Sequence, residues 1–167
     1  MKPIRLIAAS ALLGSIASFA WAQSQAMSGQ DFVAAAASSD MFEIQSSQLA
    51  LEKSQNDAVR EFAQMMIDDH TTASEELKAA AEQDGVTVPT EMDEKHKALL
   101  EQLNSASAES FDAAYVTAQQ AAHEEGLALM TSFAESGQEA ALKAHAAKTA
   151  PVIQAHLEHV QKLLAPQ

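Results

Sequence analysis

The sequence predicts an all-α protein: a four-helix bundle with a short extra helix in the connection between its second and third long helices. Three observations carry this. Four stretches of about 25 residues repeat apolar side chains at i, i+3, i+4 and i+7, the period that lays one stripe along a helix. Capping or stop residues stand between these stretches. No segment alternates apolar and polar residues as a half-buried strand would. At about 1.5 Å per residue the four helices each span about 38 Å, so their lengths match.

The first helix is predicted from Gly29 to about Ser54, with Ser28 as N-cap and Asp31 three residues on. It is Ala-rich and has no Pro. Phe32, Ala36, Ser39, Glu43, Ser47 and Ala50 define one face, widened by Val33, Met41, Ile44 and Leu51. Glu43 therefore falls at or beside the buried stripe in mid-helix. Asn56 caps the second helix, Asp57 to Asp84, and Gly85 is a natural C′ residue. Val59, Phe62, Ala63, Met66, Ile67, Leu77 and Ala81 form its stripe, and His70 lies on it. The tight joint at Gln55 and Asn56 makes these two helices antiparallel neighbours.

Val86 to Thr90, with Pro89, breaks the chain before a shorter helix from Glu91 to about Asn104 carrying Leu99, Leu100 and Leu103. The link from Gly85 to Ser107 is long enough to be a crossover. The third long helix runs from Ala108 to about Glu135 and stops at Gly137. Phe111, Tyr115, Ala118 and Ala122 mark one edge of its inner face; Val116, Gln119, His123, Leu127 and Met130 mark the other. The fourth runs from about Glu139 to Leu164, with Leu142, Ala146, Val152, Ile153, His156, Val160 and Leu163 inward. Pro151 inside it is expected to kink it or to leave a gap in its hydrogen bonds.

Residues 1–22 read as a cleaved signal peptide. Lys2 and Arg5 precede the mostly apolar run Leu6 to Ala20, and Ala20-Trp21-Ala22 is a small-x-small cleavage site. The run is short for a membrane span and no later segment is apolar enough for one. Residues 23–167 then form one domain, placed in the periplasm or secreted. The formal charge is −13, and removing residues 1–22 makes it −15 by taking away Lys2 and Arg5. That balance argues against nucleic acid or an anionic membrane as partner. With no Cys, disulfides and thiolate metal sites are excluded.

Four polar residues on the inner stripes point to metal chemistry. His70 lies 14 residues after Asn56 and Glu43 lies 13 before it, so an antiparallel hairpin sets them at one level. His123 lies 14 residues before Gly137, near mid-helix; His156 lies 19 after it, five residues or about 7 Å out of level. Glu43, His70, His123 and His156 thus offer one ligand per long helix. Three imidazoles and a carboxylate suit a zinc, copper or iron ion. The alternative is a metal-free structural or partner-binding bundle whose histidines form a buried polar network. A redox enzyme using the same ion, with Tyr115 nearby, is a third reading.

His96 is expected to be solvated in the charged linker helix, and His145 and His159 to lie at the surface. Asp69 and Asp112 are candidate acceptors that orient imidazoles. Glu-x-x-His, the signature of dicarboxylate metal bundles, is absent, which disfavours di-iron oxidase or iron-storage chemistry. No phosphate loop or nucleophile elbow is present. The sequence therefore leans toward binding rather than turnover.

Phe32-Val33 with Glu43 and Leu49-Ala50, then Phe62-Ala63, Met66 and Asp69-His70, resemble a bacterial envelope family. So do Phe111-Asp112-x-x-Tyr115 with His123, and Ala150-Pro151 with His156-Leu157. The family is the domain of unknown function numbered 4142, often labelled an outer-membrane protein. The resemblance spans about residues 30 to 164. It implies a ferritin-like bundle, inward positions for Glu43, His70, His123 and His156, and leaves outer-membrane association open. It implies no reaction.

Overall fold

The computed structural model describes residues 26–164. The signal peptide expected at residues 1–22 lies outside the described residues. Five helices make up the described chain: α1 (Gly29–Lys53), α2 (Asp57–Asp84), α3 (Glu94–Ser105), α4 (Ala108–Ser136) and α5 (Ala140–Leu164). None is long and apolar enough to cross a membrane.

The boundaries follow local chemistry. Ser28 Oγ accepts from Asp31 N, and Asn56 Oδ1 accepts from Ala58 N. Gly85 closes α2 in the left-handed region at φ 69°. An added Cβ there meets nothing within 4 Å, so a side chain's cost at this site is conformational. Gly85→Ala is expected to lose about 1 kcal/mol, read as a lower urea midpoint with unchanged slope. Two helix starts are capped across the bundle: Glu139 Oε1 accepts from Gly29 N, and Asp84 Oδ2 from Leu142 N.

Cross-helix pairs fix the topology. Phe32 stacks on Phe133 and Ser47 bonds Tyr115, so α1 and α4 run antiparallel. Glu76 pairs with Lys148 and Asp69 with His156, so α2 and α5 do too. With α1/α2 and α4/α5 each joined by three residues, the order is up, down, down, up, with one crossover. The crossover climbs the outside of the bundle and is pinned at both ends. Gln30 Nε2 donates to Thr87 O at one end, and Lys53 Nζ to Asn104 O at the other. This is the ferritin-like four-helix bundle.

Details of the pattern differ from expectation. α3 begins at Glu94 because Asp93 caps it by accepting from His96 N. His96 is buried, not solvated: its Nδ1 meets Ser38 Oγ at 2.7 Å and Asp93 Oδ2 at 3.1 Å, tying α3 to α1. His145 is also buried, four residues before Thr149 on the inner stripe. Val152 is 44% exposed, because Thr149, Ile153 and His156 take that stripe. Phe42, rather than Met41, fills the core from α1.

The apolar interior is in two parts. One, at the end that holds the α1–α2 turn, is built on Phe42, Phe62, Met66, Phe111, Tyr115 and Val160. The other, toward the start of α1, is built on Phe32, Leu77, Met130, Phe133, Leu142 and Ile153. Buried polar side chains lie between them.

Candidate metal centre

The polar layer draws on all four long helices: Asp40 and Glu43 from α1, His70 from α2, His123 from α4 and His156 from α5. His70, His123 and His156 form a triangle with ring centroids 5.7, 5.7 and 5.4 Å apart. One nitrogen from each lies within 4.8 Å of the other two. His156 reaches the triangle because its offset is smaller than a count from Gly137 suggests. It lies 16 residues after Ala140, where α5 starts, and His123 lies 13 before Ser136, where α4 ends. The remaining three residues are about 4.5 Å, which helix tilt and the imidazole length absorb.

Each ring is held from behind. His70 Nδ1 meets Asp40 Oδ1, His123 Nδ1 meets the Gln119 carbonyl, and His156 Nε2 meets Asp69 Oδ2, all at 2.8 Å. An acceptor at one ring nitrogen places the proton there and leaves a lone pair on the other. Those other nitrogens are His70 Nε2, His123 Nε2 and His156 Nδ1, all buried and without a hydrogen-bond partner. With the rings neutral, these three buried nitrogens of one cluster are acceptors without a donor. A cation at their centre satisfies all three, and a carboxylate or carbonyl behind a ligating imidazole is the usual support.

Glu43 stands beside this triangle. Its Oε1 is 3.8 Å from His123 Nδ1, and its Oε2 is buried with no partner. Among the described residues the set of mutually close donors consists of the three histidines. Gln119 Nε2 donates to Ser46 Oγ, and Ser47 Oγ meets Tyr115 Oη at 2.8 Å, so the polar seam continues along α1 and α4.

Burial decides the charge states. It pushes Glu43 up to about 7, against the opposing pull of His70 and Gln119. It pushes His123 down to about 3, helped by His70, and lowers His156 despite its bond to Asp69. Burial alone would also lower His70, but the bond to Asp40 and the carboxylates of Glu43, Asp40 and Asp69 outweigh it and raise it above 6.5. Burial likewise pushes the Tyr115 phenol up, so it stays protonated.

Of the orienting carboxylates, Asp69 was legible in the sequence and Asp40 was not. Asp40 sits three residues before Glu43, on the same face, and a charged residue there reads as solvated until its partner is known. Asp112 orients no imidazole; its Oδ1 is buried and unpartnered. His159 packs edge-on to Phe62 outside the triangle.

The family described as Domain of unknown function (DUF4142) matches residues 17–163. No curated protein matches the chain. Among solved structures, CopM in its Cu(II)-bound form shares the fold with a TM-score of 0.69 at 16% identity, covering 83% of this chain and 97% of that one. A DUF305 protein from Streptomyces coelicolor, described as secreted, gives a TM-score of 0.67 at 12% identity, covering 82% and 91%. At these identities the likeness is one of fold.

Proposed function

The chain belongs to the DUF4142 family, and from that premise we propose that it is an exported bundle that binds one transition-metal ion at the histidine triangle. The observation that carries this reading is a buried cluster of three histidines, with one nitrogen of each within 4.8 Å of the others', in which every ring has one anchored nitrogen and one without a partner. Glu43, a buried carboxylate beside His123 with one unpartnered oxygen, supplies the fourth ligand; burial leaves it close to half neutral at pH 7, and a cation beside it would draw off the proton. Bonds of about 2.1 Å to a tetrahedral ion require the donors to close by about 1 Å, within reach of side-chain rotation. Nitrogen and oxygen donors suit Cu(II), Zn(II) and Fe(II). The Cu(II) carried by CopM on the same fold makes copper the first ion to test. The role is metal handling or protection of the envelope, with the protein acting in the periplasm or outside the cell.

The test is titration with Cu(II) followed by its electron paramagnetic resonance spectrum. One equivalent with nitrogen hyperfine splitting supports the reading. A spectrum of weak oxygen-bound copper at several sites contradicts it. Binding also carries a pH signature. Burial lowers His123 and His156, whereas Asp40 and the neighbouring carboxylates raise His70 and burial raises Glu43, so protons compete with the ion chiefly at His70 and Glu43. Apparent affinity should therefore fall as pH drops through about 7, where Glu43 takes up its proton, and fall further as His70 takes up its own, measured by chelator competition from pH 8.5 to 5.5.

A further inference from the structure

We infer that the metal ion enters and leaves through the cleft between α2 and α5, past Asp69, with the Pro151 segment of α5 as the wall that yields. This deepens the metal-binding reading and rests on it. Three groups hold the histidines from behind, and they differ in their access to water. The Asp40 side chain is 9% exposed and Gln119 is fully buried, whereas the Asp69 side chain is 46% exposed. Asp69 thus joins solvent directly to a ring of the triangle. Glu43 and Phe62, which lie against His123, are each 1% exposed or less.

Asp69 lines a cleft of 170 Å³ with Thr72, Ala73, Glu76, Lys148, Thr149 and Val152. The Glu76–Lys148 ion pair, at 2.6 Å, straps α2 to α5 at its edge. Both residues are partly or fully exposed, so the strap is weak and opens readily. The α5 side of this cleft is also where the helix is least bonded. Pro151 has no N–H, so the carbonyl of Ala147 lacks its helical donor, directly beside Lys148 and Thr149. A carboxylate at the mouth attracts the cation, and movement of the Asp69–His156 pair passes it inward to His156 Nδ1.

Two variants test the route in the full purified protein with Cu(II) as probe. Val152→Trp places bulk at an exposed position of the cleft, and Pro151→Ala restores the missing helix bond. Stopped-flow absorption gives the uptake rate, and transfer to excess EDTA the release rate. Glu125→Trp puts the same bulk in the opposite cleft, between α1, α3 and α4. Uptake and release should both slow at least tenfold in Val152→Trp and several-fold in Pro151→Ala, with the dissociation constant and the Glu125→Trp rates unchanged. One equivalent of Cu(II) bound with unaltered rates in both α5 variants, or equal slowing in Glu125→Trp, overturns the route and leaves the metal site standing. Absence of Cu(II) binding to the unaltered protein overturns both.

Discussion

Replacing His156 by Ala is expected to abolish stoichiometric ion binding while leaving a folded bundle. Loss of an outer partner of a metal ligand costs roughly 10–100-fold in affinity, and removing the ligand itself costs more. The fold survives because the group left behind is half in water: Asp69 is 46% exposed on its side chain and regains solvent. The cost to the metal-free protein is then about 1–2 kcal/mol for the imidazole's packing. His70→Ala is the contrasting case. It strands Asp40, whose side chain is 9% exposed, as a buried carboxylate without its partner, a loss of about 3 kcal/mol. Thermal melts with and without Cu(II) separate the two effects. The unaltered protein should gain about 2.7 kcal/mol at ion concentrations 100-fold above the dissociation constant, a rise of several degrees. His156→Ala should gain nothing at the same concentration. A full rise in His156→Ala would place the ion elsewhere.

Phe62→Ala is expected to cost about 3–5 kcal/mol, the range for truncating a buried aromatic. The Phe62 ring is fully buried and meets Tyr115 and His123 at 6.3 Å and His159 at 5.3 Å, centroid to centroid. Its removal opens a void against the ring that faces His70 and His156. Stability and site geometry should fail together: a large fall in the denaturant midpoint and weaker ion binding in whatever fraction stays folded. An equal truncation at Phe133, which stacks on Phe32 in the far core at 4.0 Å, should cost similar stability and spare the affinity of the folded fraction. Measuring chelator-competed affinity under strongly native conditions distinguishes them.

The helices and their order were legible because their signals are local. Ser28, Asn56 and Gly85 mark ends by chemistry within a few residues, and His70 shows on its stripe by spacing alone. The level of the three histidines could be counted because matched helices act as rulers. Polar burial was harder to read. Asp40, His96 and His145 look like surface residues on their own helices, and each is buried by what stands across from it: His70 for Asp40, Ser38 for His96, the α2 face for His145. Val152 fails in the opposite sense. Its apolar side chain fits an inward position, but Pro151 and the Thr149–Ile153–His156 stripe turn it outward. Glu43 was placed correctly in the polar layer, while its distance from the triangle depends on a rotamer that no spacing rule specifies.

The most direct test of the metal centre is the metal content of the protein purified from its natural compartment without a histidine tag or chelator. One equivalent of a transition metal per chain is expected, absent from His156→Ala prepared in parallel. A metal-free protein whose melting temperature does not rise on adding Cu(II), Zn(II) or Fe(II) would contradict it.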